Sequence, residues 1–365
     1  MWLASQPLVT ATALPPACYT SEEFAAIDRS AVFTRSWQLL ARAASVLAPG
    51  DHVVAEIADV PLVIVRGDDR VLRTLHNVCR HRAGPLALCD GRAARSLVCR
   101  YHGWTYTLDG RLRGAPEMSS AKDFAMDAVR LPQARVSQWQ GLVFTALPEL
   151  DVDGAGAGVP VFSEITSDID PRIAALDLAS YEFDCHVSYE IACNWKIYVD
   201  NYLEGYHVAI VHPALARALD TSRYRTHLGR WHSLQESPLQ TSQASAEHAL
   251  YYFIYPNTML NLLPGRMQTN RVVPIGARRC RVDFDYFFRA DVSAETRAVD
   301  RAFADQVQAE DGAICERVQR GLASGSYTPG RLNPNQESGV WHFQELLRAA
   351  YRAAGATERA AAGMA

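Results

Sequence analysis

The sequence lacks the features that mark several large classes of proteins. No apolar run reaches the roughly 18 residues that a membrane-spanning helix requires. No basic residue precedes Arg29, so a secretory signal would lack its charged beginning, and we expect a cytoplasmic protein. The net charge of −4 argues against nucleic acid or an anionic membrane as the main partner.

Cysteine is also sparse, with 8 in 365 residues. This low density, in a chain without a recognisable secretory signal, argues against a framework of disulfides. The length suggests two domains of about 150 residues each. A glycine-rich stretch at 151–160 (DVDGAGAGVP) is typical of a linker, with short strands before it and a mixture of strands and helices after it.

Hydrophobic periodicity and turn residues predict the main elements. In chain order they are a helix over 22–42, strands joined by a turn over 52–66, a strand over 179–191, a helix that begins near Asn194, strands over about 250–290 and a long helix over about 294–322. This series indicates an α+β protein.

Two short segments each combine a cysteine with a histidine. They read Cys79-Arg-His81 and Cys99-Arg-Tyr-His102, and 17 residues separate them. Two loops that each supply one Cys and one His suit a [2Fe-2S] cluster with two Cys on one iron and two His on the other. A zinc site is one alternative, although structural zinc sites usually pair like ligands, and four unrelated residues are another. Cys89, between the segments, is expected to be structural because the four ligands are already accounted for.

The segment Asn194–Pro213 (NWKIYVDNYLEGYHVAIVHP) places polar residues inside an apolar helical pattern. On a regular helix Asp200, Glu204 and His207 share one face. Burying such a stripe is costly unless it binds something. A solvated polar face is the alternative, but no Lys or Arg follows Lys196 within this segment, which weakens that alternative.

A second histidine and a further carboxylate complete a candidate metal site. His212 lies five residues after His207, so the two converge only if the helix ends or loosens between them, which the following proline favours. On the predicted C-terminal helix Asp311 occupies one position of an otherwise apolar stripe, while Glu310 lies off it. The apolar members are Val299, Phe303, Val307, Ile314, Val318 and Leu322. A lone buried carboxylate is expected to be protonated or ligated, and two histidines with one carboxylate form the facial triad of non-haem Fe(II) oxygenases.

These motifs resemble one known family, the large (alpha) subunits of Rieske ring-hydroxylating oxygenases. NVCRHRAGPLA and LVCRYHGW look like its Rieske domain, NWKIYVDNYLEGYHVAIVHP like its iron-binding helix, EDGAICERVQRGL like the segment with its carboxylate ligand, and RLNPNQESGVWHF like its C-terminal tail. The resemblance implies a Rieske β domain over 37–150 and a larger catalytic domain over 151–365. The latter would have an antiparallel sheet flanked by helices, of the helix-grip or START-like type. An N-terminal helical segment, 1–36, would pack on it.

The resemblance also implies the cofactors and the type of reaction. Each chain would hold one [2Fe-2S] Rieske cluster on Cys79, His81, Cys99 and His102, and one mononuclear Fe(II) on His207, His212 and Asp311. The protein would be the terminal oxygenase, taking electrons from an NAD(P)H-dependent flavin-iron-sulfur reductase, directly or through a ferredoxin. With O₂ it would hydroxylate, dioxygenate or oxidatively demethylate a small aromatic or quaternary ammonium substrate. The main rival is an iron-sulfur electron-transfer protein whose second metal site is idle.

In the family, electrons cross a subunit interface, which implies a head-to-tail homotrimer. On this reading His102 is the exit ligand of the cluster and Glu204 is the bridge to the neighbouring iron site. Many members have Asp where this chain has Glu204, and Glu occurs in members that resemble quaternary ammonium oxygenases. Asn201 is expected to help orient O₂ or water, or only to stabilise the helix.

Substrate and donor contacts are predicted less sharply. The stretch 215–275 is expected to supply pocket walls, either an aromatic cage for a quaternary ammonium group or an apolar slot. Its candidate residues are Trp231, Tyr251, Tyr252 and Met267. Near the cluster loops, Arg80, Arg82 and Arg100 are expected to dock an acidic electron donor or simply to remain solvated.

Overall fold

The computed structural model describes residues 2–147, 159–240 and 247–357. Its contacts divide the chain into two compact units, one formed by Phe33–Phe162 and the other by Met1–Val32 together with Ser163–Ala365. The linker predicted at 151–160 falls largely on 151–158, outside the described residues. The domain boundaries predicted from the sequence therefore stay predictions.

The smaller unit consists of short antiparallel strands. Their bounds are β1 Gln38–Arg42, β2 His52–Ile57, β3 Val60–Arg66, β4 Leu72–His76, β5 Leu97–Val98, β6 Thr105–Tyr106, β7 Leu112–Gly114, β8 Gln133–Trp139 and β9 Leu142–Ala146. One sheet has the order β1-β9-β8-β4-β3-β2 and another the order β5-β6-β7. The turn predicted within 52–66 is confirmed as Ala58-Asp59, where both residues have positive φ, as a tight hairpin requires.

The core of this unit joins its two sheets. Val63 and Val65 of β3 and Leu75 of β4 are fully buried and belong to one cluster with Tyr106 of the small sheet and Trp104, which precedes it. The cluster also contains the cysteines of both Cys-His segments. Packing of apolar side chains therefore fixes the loops that carry the candidate ligands.

The helix predicted over 22–42 is wrong beyond its first turns. α1 (Ala17–Thr20) and α2 (Glu22–Ile27) are helical, a π-helical turn follows over Asp28–Val32, and 38–42 is strand β1. The short apolar run in QLLAR suits either a helix or a strand. Pairing with the buried strand β9 decides for a strand, because β9 offers hydrogen-bond partners that a helix would leave unused.

The larger unit is built on one antiparallel sheet with helices against it. Its strands are β10 Glu182–Ile191, β11 Arg225–Leu228, β12 His232–Pro238, β13 His248–Ile254, β14 Thr258–Leu263, β15 Arg266–Pro274 and β16 Cys280–Phe288. The sheet order is β10-β16-β15-β14-β13-β12-β11. Short helices precede and follow β10, namely α3 Phe162–Thr166, α4 Asp170–Ile173, α5 Trp195–Tyr202, α6 Val208–Val211 and α7 Pro213–Ala218.

Two long helices complete this unit. α8 spans Ala294–Leu322, as predicted, and α9 spans Ser338–Ala353. α5 lies against α8 and β15, and α6 also contacts α8, so the segment after Asn194 is placed between the sheet and the long helix. No helix of the described residues is long and apolar enough to cross a membrane.

The N-terminal segment is held to this unit by buried polar contacts. Asp28 is 2% exposed and accepts hydrogen bonds from Trp195 Nε1 at 2.9 Å and Tyr351 Oη at 2.6 Å, and it pairs with Lys196. Arg348 of α9, fully buried, donates to the main-chain oxygens of two residues near the N-terminus. Removal of one partner would leave a buried charge unpaired, so the segment is an integral part of the fold.

Candidate metal centres and the adjoining cavity

The two Cys-His segments form loops with the same main-chain pattern. In the first, between β4 and β5, the N–H of Cys79 donates to Gly84 O at 2.9 Å and its carbonyl accepts from Ala83 N at 3.0 Å. In the second, between β5 and β6, Cys99 makes the equivalent bonds with Trp104 O at 2.8 Å and Gly103 N at 3.0 Å. Each cysteine therefore opens a tight turn whose backbone groups are satisfied within the loop.

The two loops bring their four side chains together. Cys79 and Cys99 are 3% and 2% exposed, and the rings of His81 and His102 lie with centroids 4.6 Å apart. A Cβ at Gly84 would stand 2.8 Å from Cys99 Sγ, so the first loop approaches the second more closely than any other residue would allow. The two predicted histidines thus meet, and the two predicted cysteines share one buried cluster.

The surroundings of these side chains fit an iron-sulfur cluster. His81 Nδ1 is buried without a hydrogen-bond partner, as expected of an atom whose lone pair serves a metal. Trp104 stacks on the His81 ring at 4.8 Å, and the Tyr106 hydroxyl lies 3.4 Å from Cys79 Sγ. Cys89, which was expected to be structural, is exposed.

The second site lies where the helix after Asn194 breaks up. α5 ends at Tyr202, α6 begins after His207, and His212 separates α6 from α7 with φ −121° and ψ 72°. The predicted loosening before Pro213 is confirmed, since that conformation is not helical. The two histidine rings are 5.1 Å apart.

The predicted single face of Asp200, Glu204 and His207 is wrong, because the helix does not continue past Tyr202. Asp200 instead accepts hydrogen bonds from Tyr19 Oη at 2.7 Å and from Gln344 Nε2 at 3.2 Å. Burial raises the pKa of Asp200 to about 7, against the lowering effect of those hydrogen bonds. This carboxylate therefore ties α5 to neighbouring segments and lies outside the candidate metal site.

Asp311 on α8 faces the two histidines. One ligand atom from each of His207, His212 and Asp311 lies within 4.8 Å of the others. Asp311 Oδ1 is 2.9 Å from His212 Nε2 and 3.7 Å from His207 Nε2. These distances leave room for one cation among three ligand atoms, which fits a mononuclear iron with open positions.

The apolar stripe that pointed to Asp311 is only partly correct. Val299 and Val318 are 67% and 43% exposed, whereas the buried residues of α8 are Gln308, Cys315 and Gln319. Asp311 follows Gln308 by three positions and precedes Cys315 by four. It therefore lies on the inner face of the helix, but that face is defined by Gln308 and Cys315 and not by the predicted apolar stripe. The inner face is largely polar because it contacts the site and α5.

Each histidine has a carboxylate on its other ring nitrogen. Glu204 Oε1 is 2.6 Å from His207 Nδ1 and can accept that ring's N–H. Glu310 Oε2 is 2.7 Å from His212 Nδ1, an interaction that the sequence reasoning missed by assigning Glu310 to the outer face. Burial disfavours protonation of His212, but Asp311 and Glu310 outweigh it and raise its pKa. The same negative field favours a bound cation.

Asn201 touches the site through a ligand. Its Nδ2 donates to Asp311 Oδ1 at 2.5 Å, so it positions the carboxylate. The side chain of Asn201 therefore makes a contact with the candidate metal site and not only within α5. Its role toward O₂ or water stays a prediction.

A cavity of about 160 Å³ opens onto the same three residues. Its walls combine aromatic rings with amide side chains. The rings are Tyr198, Tyr202, Tyr224, Tyr251, Phe284 and Phe303, and the amides are Asn201, Asn261, Gln268, Asn270 and Gln308. Of the predicted wall residues only Tyr251 lines it. Tyr252 and Met267 are buried on the opposite face of the sheet, because neighbouring residues of a strand alternate.

Comparison with known proteins follows the same division of the chain. A family model described as the Rieske [2Fe-2S] domain matches residues 36–130, and one described as the ring hydroxylating alpha subunit (catalytic domain) matches 178–353. These matches confirm the predicted α+β fold with a Rieske domain and a larger catalytic domain.

Relatives match over nearly the whole length. The chloroplastic choline monooxygenase of Arabidopsis thaliana is 34% identical, with 93% of this chain and 83% of the relative covered. The carnitine monooxygenase oxygenase subunit of Escherichia coli (strain K12) is 30% identical, with 93% and 94% covered. The crystal structure of the quaternary ammonium Rieske monooxygenase CntA with L-carnitine has a TM-score of 0.82 at 25% identity, over 95% of this chain and 99% of that one. Naphthalene 1,2-dioxygenase from Rhodococcus sp. shares the fold, with a TM-score of 0.76 at 16% identity over 93% and 94%.

Proposed function

The chain belongs to the family of Rieske ring-hydroxylating oxygenase alpha subunits, and we propose that it is the monooxygenase for a small quaternary ammonium compound. As a member it is an oxidoreductase with a Rieske [2Fe-2S] cluster and a mononuclear iron, and it takes its electrons from a reductase or ferredoxin partner. The zinc site considered above is therefore set aside.

The cluster is proposed to bind Cys79, Cys99, His81 and His102. Two buried thiols and two adjacent imidazoles, one with a free buried nitrogen, support the assignment. His102 is exposed, as a ligand that passes electrons outward would be. The exposed Arg80, Arg82 and Arg100 surround the loops and offer positive charge to an acidic donor.

Iron is proposed to bind His207 and His212 through Nε2 and Asp311 through a carboxylate oxygen. Ferrous iron in such a triad supplies the activation of O₂ for oxygen insertion into a C–H bond. Glu204 and Glu310 hold a proton on Nδ1 of each histidine, which leaves Nε2 as the free lone pair. Asn201 fixes the rotation of the Asp311 carboxylate.

The composition of the cavity carries the substrate proposal. Tyrosine rings supply the negative faces that attract a quaternary ammonium group. Burial raises the pKa of Tyr202 and Tyr224 well above the usual value, so both rings remain neutral phenols. Asn261, Gln268 and Asn270 add buried amides to the wall, which suit a polar substrate better than an unsubstituted hydrocarbon. The named substrates of the similar proteins, choline and carnitine, have this chemistry.

The assembly is proposed to be a homotrimer in which the cluster of one subunit serves the iron site of the next. Glu204, which contacts His207, is the proposed bridge to His102 of the neighbour. The cytoplasmic location expected from the sequence stays a prediction.

One experiment separates this function from an electron-transfer protein with an idle second site. The holoprotein should contain three irons per chain, and Asp311→Ala should contain two with an unchanged cluster EPR signal. If Asp311→Ala retains three, another residue is the third ligand. If the wild type contains two, the second site is idle.

Activity is tested with a generic reductase by O₂ consumption. We expect quaternary amines to stimulate it and aromatic acids to leave it at the background rate. Labelling with ¹⁸O₂ should place one oxygen atom, not two, in the organic product. Stimulation by aromatic acids alone would contradict the proposal.

A further inference from the structure

One strand of the sheet presents a line of polar side chains to the cavity. Arg266, Gln268 and Asn270 alternate along β15, which places all three on the same face, and each is at least nine-tenths buried. Gln268 Nε2 donates to Asn270 Oδ1 at 2.7 Å. The guanidinium at the beginning of this line is the charged member.

Arg266 is incompletely paired for a buried arginine. Its Nη1 donates to Asp300 Oδ2 at 2.6 Å, and Asp300, on α8, also lines the cavity. Among the described residues this is its only hydrogen-bond partner, although a guanidinium has five N–H donors. The Nε is enclosed by protein and makes no hydrogen bond. The Nη2 has no hydrogen-bond partner among the described residues and is not enclosed. A donor group of Nη2 therefore remains for a molecule in the cavity.

The other charges on the cavity wall are already committed. Glu204 is bonded to His207 and Asp311 to His212. Within the described residues that line the cavity, Arg266 is the only arginine or lysine. A bound anionic group consequently has one place to go that offers a charge-assisted hydrogen bond.

Resting on the proposed function, we propose that Arg266 binds a carboxylate of the substrate, which makes this protein selective for zwitterionic quaternary amines over choline-like alcohols. The ammonium group lies on the tyrosine faces, and the carboxylate accepts from the free edge of the guanidinium. Asp300 orients that edge by holding the opposite Nη1. A hydroxyl at the same place also accepts from the guanidinium, but it lacks the attraction between opposite charges and the bidentate geometry of a carboxylate.

The test uses a matched pair of ligands that differ only in this group. Binding of γ-butyrobetaine and of its uncharged carboxamide to the iron-loaded, oxidised holoprotein is measured by isothermal titration calorimetry. We expect the wild type to prefer the carboxylate by about 10- to 100-fold. Arg266→Gln should reduce this preference to near unity. The control is Arg301→Gln on α8. This arginine pairs with Asp184 of β10 and does not line the cavity, so its loss should keep the wild-type preference.

A second variant covers the case in which Arg266→Gln does not fold. Asp300→Asn frees the whole guanidinium, so the preference for the carboxylate should increase. An unchanged preference in both variants, or a wild type that binds both ligands equally, overturns the role of Arg266 while leaving the proposed function intact. A wild type that binds no quaternary amine at all overturns the proposed function and the role of Arg266 together.

Discussion

The contact between Glu310 and His212 gives the sharpest test of the iron site, because it was not expected from the sequence. The change is Glu310→Ala, which removes the acceptor at 2.7 Å from His212 Nδ1. His212 is 1% exposed and Glu310 is 27% exposed, so any water that enters the space left by Glu310 is a neutral acceptor in place of a carboxylate. The ring is then free to carry its proton on Nε2, where Asp311 accepts it at 2.9 Å.

The magnitude follows from that competition. A proton on Nε2 must leave before iron can bind, and Glu310 favours the tautomer that has none there. Loss of a buried hydrogen bond to a charged acceptor costs about 1.5–3 kcal/mol. We therefore expect iron affinity to fall about 10- to 100-fold, the usual effect of losing the partner of a metal-binding histidine.

The assay is competition for iron with a graded series of chelators, with the visible absorbance of the cluster followed in the same sample. The cluster signal should not change, since its ligands are in the other unit. Glu310→Gln keeps an acceptor oxygen and should lose much less affinity. The matched control is Glu316→Ala, which removes an acid of the same helix that bonds a main-chain N–H of residue 192 instead of a histidine.

Two results would refute the reasoning. Iron affinity within a factor of about three of the wild type in Glu310→Ala would mean that Glu310 does not select the tautomer. An equal loss in Glu316→Ala would mean that the helix, not the contact, is responsible.

Three further changes test other contacts. Glu204→Gln should retain both metals but lose turnover, measured by iron content and O₂ uptake; substantial turnover would remove Glu204 from the electron route. Tyr106→Phe removes the hydroxyl beside Cys79 Sγ, and a donor at this place stabilises the more negative, reduced cluster. A redox titration followed by EPR should therefore show a reduction potential lower by about 20–60 mV. An unchanged potential would mean that this contact does not tune the cluster. Because Asp311 and Glu310 together raise the pKa of His212 despite burial, protons compete with iron from a pH above the ordinary histidine value of 6.5. Iron affinity should then fall up to about tenfold per pH unit below the raised pKa, and a decline that begins only below 6.5 would contradict this.

The sequence by itself determined which residue types the two candidate metal centres contain. Cys79, His81, Cys99 and His102 lie at the tips of short loops, where turn residues and spacing fix the geometry locally. The loosening before Pro213 is local too, since it follows from the steric conflict between a proline and the residue before it. The helix Ala294–Leu322 was also predicted from the sequence, although the apolar stripe that pointed to Asp311 was only partly correct.

Only the tertiary structure decided what surrounds those ligands. The strand at 38–42 replaced a helix because β9 supplied its hydrogen bonds, a choice that local pattern cannot make. Glu310 was missed because whether a helix residue faces solvent or a histidine 98 positions away depends on how two elements pack. The proposed role of Arg266 likewise depends on its contacts with Asp300 and the cavity, which the sequence does not show. Features that depend on neighbours in the sequence could be predicted from the chain. Contacts that depend on neighbours in space could be found only in the folded structure.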